Sequence, residues 1–135
     1  MEFKSIDALQ ALVEKSLEQK SINKTNPKGI AHANSLIESG DVKEPSTWEH
    51  PTASEENAYL EANGWDKFAQ WYLGVDTNAD PETKAHYGYV YTSDFKTVDR
   101  QGLRAIRQRA AQNNQTAIFA AAGKMIEKID AKKNG

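Results

Sequence analysis

Trp65-Asp66-Lys67-Phe68-Ala69-Gln70-Trp71-Tyr72-Leu73 is the stretch around which the chain is organised. Trp65, Phe68, Ala69 and Tyr72 recur at helical spacing, so it reads as an amphipathic helix carrying much of the aromatic mass on one face. A helix this short is not stable alone in water, and its apolar face needs partners. The best candidates lie downstream, in residues 103–111 and 118–129, and Gly74 is expected to close the helix.

Immediately upstream, Asn63-Gly64 breaks the chain after a short helix expected over residues 55–62 with Ser54 as its cap. Residues 41–54, DVKEPSTWEHPTAS, hold two prolines and an isolated tryptophan, which predicts an extended arm anchored by Trp48. Before the arm, Asn26-Pro27 is a cap followed by a first-turn residue, opening a helix with Ile30, Ala33 and Ile37 inward and Leu36 beside them; Gly40 ends it. A first helix, capped by Ser5 and carrying Ile6, Leu9, Val13 and Leu17, is expected to about Lys20 and to form a hairpin with the second.

Downstream, Asp80-Pro81 repeats the cap pattern for a turn or two of helix. Tyr87, Tyr89 and Tyr91 alternate, the one strand-like place in the chain. Asp99 caps a helix to about Asn113 with Leu103, Ile106 and Ala110 on its core face. Asn114 or Thr116 caps a last helix whose Ile118, Ala122, Met125 and Ile129 form a stripe widened by Phe119 and Ile126. The expected fold is therefore mostly α: a single small helical domain of about five or six helices with one or two short extended segments. It divides into a hairpin (1–40), an arm (41–54) and an aromatic-centred unit (55–135).

With 135 residues and no cysteine, the chain is long enough to bury a core without disulfides, and it offers neither thiolate metal ligands nor a thiol nucleophile. The mean hydropathy of -0.75 predicts much polar surface. No run approaches membrane-spanning length, and the first twenty residues are charged throughout, so no membrane association and a cytoplasmic location are expected. The triplets Asn23-Lys24-Thr25 and Asn114-Gln115-Thr116 are then chance matches to a glycosylation acceptor. A formal charge of -2 excludes a globally basic nucleic-acid protein, yet the charge is uneven. Residues 38–66 hold eight acidic side chains against Lys43, and residues 96–109 hold five basic ones against Asp99.

Three constellations bear on chemistry. Asp76, Asn78 and Asp80 sit at the first ligand positions of a calcium loop, but Pro81 stands where the loop needs glycine and Tyr87 where it needs a closing glutamate. Turn and cap formation accounts for the same residues. Arg100, Arg104 and Arg107 form one helical stripe, with Lys96 near its start and Gln108 or Gln112 beside it, as a phosphate-binding helix requires. Covering the core edge and pairing with the acidic pole is the competing role, which net acidity favours. Trp71 falls off the main face of its helix and is expected to join Tyr89 and Tyr91 in an aromatic patch for a protein partner. His32, His50 and His86 share no ligand spacing, and no nucleophile, phosphate-loop or dinucleotide fingerprint is present, so neither a cofactor nor a reaction is indicated.

The order W-x-x-F-x-x-W-Y-L-G-V-D from Trp65, E-T-K-A-H-Y-G-Y from Glu82 and V-D-R-Q-G-L-R-A-I-R-Q-R-A-A-Q from Val98 resembles a family of short uncharacterised bacterial proteins. More loosely it is similar to a helical segment that accompanies head-maturation proteases of tailed phages and prophages. The resemblance covers about the last seventy residues, rests on aromatic and alanine positions, and includes nothing of the protease's catalytic part. It implies an accessory or interaction module. The expectation is thus a non-catalytic protein-binding module, monomeric or weakly dimeric through its charge poles, with nucleic-acid binding by Lys96, Arg100, Arg104 and Arg107 as the alternative.

Overall fold

The computed structural model describes residues 21–134, so the helix expected from Ser5 to Lys20, and with it one arm of the hairpin, lies outside the described residues. The rest is not the helical domain that the periodicity predicts. Five helices share the described chain with a three-stranded antiparallel sheet and a two-stranded parallel one, making the fold α/β rather than all-α.

In chain order the elements are β1 (Lys24–Thr25), α1 (Pro27–Ser39), β2 (Val42–Lys43), α2 (Ala53–Asn63), α3 (Trp65–Ala69), β3 (Tyr72–Val75), a 3-10 turn (Lys84–His86), β4 (Tyr87–Val90), β5 (Val98–Asp99), α4 (Arg100–Gln112) and α5 (Thr116–Asn134). The larger sheet runs β1-β3-β4, with Thr25 opposite Gly74 and Gly74 opposite Gly88. In the smaller, Val42 pairs with Val98 and Lys43 with Asp99. The Asp99 N–H also donates to the Tyr91 carbonyl, and the Tyr91 N–H to that of Trp71, so β5 is tied to the chain that continues β4.

The central correction falls on the stretch from Trp65 to Leu73. Its helix stops at Ala69, where the last turn tightens as the N–H of Gln70 and Trp71 reach back three residues to Lys67 and Phe68. Residues 72–75 then run as a strand, and Gly74, expected to close a helix, lies inside it. Asn26 explains how the switch is held. Rather than capping α1 through its side chain, buried Asn26 donates Nδ2 to the carbonyls of Ala69 at 2.8 Å and Tyr72 at 2.9 Å, acceptors at the junction. At Gly74 the sheet lies so close to its neighbours that a Cβ there would stand 2.6 Å from Ile22 Cγ2 and 2.9 Å from Ile118 Cδ1.

The helical periodicity holds elsewhere. Ala33 and Ile37 of α1, Leu103, Ile106 and Ala110 of α4, and Ile118, Ala122, Met125 and Ile129 of α5 are all buried. Asp99 caps α4, accepting from the Gly102 N–H at 3.0 Å, and Asn114 makes the left-handed step into α5. Thr52, not Ser54, caps α2 in a reciprocal box with Glu55. The arm is extended as expected, and its Trp48 ring lies on Gly102 at the start of α4. The Asp80-Pro81 segment makes turns instead of an α-helix, Asp76 Oδ1 and Asp80 Oδ1 accepting from the N–H of Asn78 and Glu82. No helix among the described residues is long and apolar enough to cross a membrane.

Candidate functional site

The aromatic patch expected to be a docking surface is interior. Trp71, Tyr89 and Tyr91 are each at least 95% buried. Trp71 leaves a helix and enters the sheet at this point, which turns its indole into the core. Its Nε1 donates to Tyr59 Oη at 3.0 Å, and the Tyr91 hydroxyl donates to the Gln70 carbonyl at 2.7 Å. Burial holds the Tyr91 phenol well above its ordinary range, so that hydroxyl stays a donor. These rings support the fold, and a partner cannot reach them without opening it.

The strand expected at Tyr87, Tyr89 and Tyr91 is present as β4, Tyr87–Val90, but its alternation of faces is interrupted. Asp76 N–H bonds the His86 carbonyl at one end of the β3–β4 ladder and Tyr91 N–H bonds that of Trp71 at the other, so the bonded residues change from even to odd along the strand. Tyr89, at φ 64°, lies between them in the left-handed region. Four successive residues, Gly88 to Tyr91, are consequently all buried.

The arginine stripe divides. Arg100 is consumed structurally: its Nε and Nη2 clasp Asp130 of α5 at 3.0 and 2.9 Å, with Glu44 of the acidic pole 3.7 Å away. That fork holds the Asp130 carboxyl below its usual range. Lys96 is exposed in the turn that Asp94 organises, where the carboxylate accepts from the N–H of Lys96 and Thr97 at 2.9 Å each. Arg104 and Arg107, one turn apart on α4, remain together. With Gln108, Ala111 and Phe119 of α5 they line a shallow groove of about 350 Å3.

Inside that groove the Arg107 guanidinium carbon sits 4.3 Å from the centre of the Phe119 ring. It passes over α5 at Gly123, where a Cβ would stand 3.4 Å from its Nε. That Nε is buried and has no hydrogen-bond partner among the described residues, and neither Arg104 nor Arg107 forms an ion pair there. Phe119 is the large hydrophobic side chain left exposed among them. No protein-family model, curated protein or solved structure matches the chain. The site must therefore be read from its own chemistry: two guanidinium groups with no carboxylate partner among the described residues, a polar amide and an exposed aromatic ring.

Helical spacing alone picks out Arg104, Arg107 and Gln108, whereas it places Phe119 beside the core stripe of α5. The signal that separates it was present. Phe119 follows Ile118 directly, and adjacent residues on a helix point about 100° apart, so both cannot lie on the centre of one face. The histidines hold structural places. His32 meets Trp71 edge-on at 4.7 Å, and His86 Nδ1 lies 2.9 Å from the Ala79 carbonyl.

Proposed function

We propose that this protein is a non-catalytic binding module that docks an acidic surface of a protein partner on the α4–α5 face. The observation that carries the reading is the groove that brings exposed Phe119, with Arg107 over its ring, together with Arg104, two arginines that lack carboxylate partners among the described residues. Arginine and aromatic side chains dominate the energetics of protein interfaces, and a partner carboxylate would supply what both guanidinium groups lack. The resemblance to a segment accompanying phage head-maturation proteases points the same way, towards an accessory role.

Nucleic-acid binding is the second reading, favoured by the same geometry because two guanidinium groups beside an open ring also suit phosphate and a stacked base. The commitment of Arg100 to Asp130 shortens the stripe and weighs against it. Affinity capture from nuclease-treated host lysate, comparing the native chain with an Arg104→Glu, Phe119→Ser variant, tests both. The protein-docking reading predicts one stoichiometric acidic protein that is lost in the variant. Recovery of nucleic acid alone, with an affinity falling steeply as salt rises, selects the second.

A further inference from the structure

A second cavity, of about 240 Å3, opens on another part of the molecule. Glu56 of α2, Tyr72 of β3, Lys84 of the 3-10 turn and Tyr87 and Tyr89 of β4 line it, with His50 of the arm at its edge. Glu56 is the chemical centre. Its side chain is only 14% exposed, and its carboxylate accepts the Tyr72 hydroxyl at 2.9 Å. Burial and the nearby Glu56 charge hold that phenol protonated far above its usual range, so the Tyr72 hydroxyl stays the donor in this contact.

A carboxylate this far from water needs a cation. The cation paired with it among the described residues, Lys84, fits poorly. Its Nζ stands 3.4 Å from Glu56 Oε1 and 3.5 Å from the Ala53 carbonyl. A charge-assisted N–H···O bond closes to roughly 2.7–2.9 Å. The other lysine pairs among the described residues run from Lys133–Glu44 at 3.0 Å through Lys28–Asp66 at 3.2 Å to Lys43–Asp94 at 3.3 Å, so the Lys84 contact is the longest of them. Lys84 approaches from a single 3-10 turn with its side chain 36% exposed.

The walls suit a cation as well. Tyr72 and Tyr87 both line the cavity, their rings in mutual contact at 5.7 Å, and aromatic rings beside a site attract positive charge. The left-handed backbone of Tyr89, which a bulky side chain rarely adopts, falls on the cavity lining. His50 Nδ1 lies 2.7 Å from the Pro51 carbonyl, which can only accept, so that nitrogen carries a hydrogen.

We infer that this cavity binds a primary alkylammonium group, with Glu56 as counter-ion, the Tyr72 and Tyr87 rings as walls, and Lys84 as the internal occupant that the ligand displaces. A lysine side chain and a free aliphatic amine share this head group.

Calorimetric titration with Nα-acetyl-lysine amide and with cadaverine separates those two sources, and acetate serves as the anionic control. Lys84→Met keeps the stem of a half-exposed side chain and removes only the competing charge. It binds the amine about tenfold more tightly than the native protein does, as expected when a self-occupied site is freed. Glu56→Gln abolishes amine binding. If that variant does not fold, Tyr87→Leu replaces it and lowers amine affinity several-fold; unchanged affinity in Tyr87→Leu overturns the inference. It is equally overturned by a cooperatively melting Lys84→Met protein that binds no amine, or by acetate binding that requires Lys84.

Discussion

Gly29 of α1 and the carbonyl oxygen of Tyr72 meet so closely that a Cβ on residue 29 would stand 1.7 Å from that oxygen. The contact seats α1 on the strand that replaces the expected helix. Gly29→Ala must push α1 off β3 and is expected to cost about 3 kcal/mol, near the upper end for overpacking. Gly40→Ala is the comparison: φ is +82° but nothing lies within 4 Å of its Cβ, so only the left-handed penalty of about 1 kcal/mol applies. Urea midpoints of the two variants check the order, and equal losses would show that the Gly29 approach is not tight.

Asn26, immediately before α1, ties it to the end of α3 and the start of β3 by donating to Ala69 and Tyr72. Asn26→Ala leaves those carbonyls without this donor and is expected to cost about 2–3 kcal/mol. Asn26→Asp is worse at neutral pH, because it points carboxylate oxygens at carbonyl oxygens. Its deficit shrinks in acid as the new group takes up a proton and can donate. A pH-independent difference between the Asp variant and the native chain would contradict this geometry.

What could be read from the residues divides along the range of the forces involved. The faces of α4 and α5 were legible because Leu103, Ile106 and Ala110, and Ile118, Ala122, Met125 and Ile129, repeat with the period of the helix itself. The Trp65–Leu73 stretch was misread because Trp71, Tyr72 and Leu73 form a continuous apolar run. Such a run fits a buried strand as well as a helix, and only the partners decide: Asn26, Gly29 and β4. The pairing of Val42 with Val98 was out of reach, since two two-residue strands leave no period and are joined only by tertiary structure. Of the site, the arginines were visible as a stripe, but that Asp130 takes Arg100 and leaves Arg104 depends on how α5 packs.

His32 gives the fold a pH signature. Burial beside Trp71 holds its imidazole below the ordinary value of 6.5. With the folded pKa depressed, the unfolded chain takes the proton first. The contribution is therefore complete above pH 6.5 and is lost as pH falls through the folded value. Urea midpoints should fall as the pH is lowered below 6.5, and His32→Gln should flatten that fall. An identical slope in the variant would exclude His32 as its source.

Adjacent residues of α5 should behave oppositely. Ile118→Ala opens the core and is expected to cost about 3 kcal/mol. Phe119→Ala removes an exposed ring and its contact with Arg107, and should cost under about 1 kcal/mol. Thermal melts decide: a large loss at Phe119 would make it a core residue and remove the anchor of the proposed docking face.

The most direct test of that face places a photo-crosslinking phenylalanine analogue at position 119 and a second at the exposed position Ala58 of α2, followed by irradiation in host cells. The account predicts one acidic protein joined at 119, absent at 58, and lost when Arg104→Glu is added. Equal labelling at both positions, or labelling at 119 that ignores the charge at 104, would contradict it.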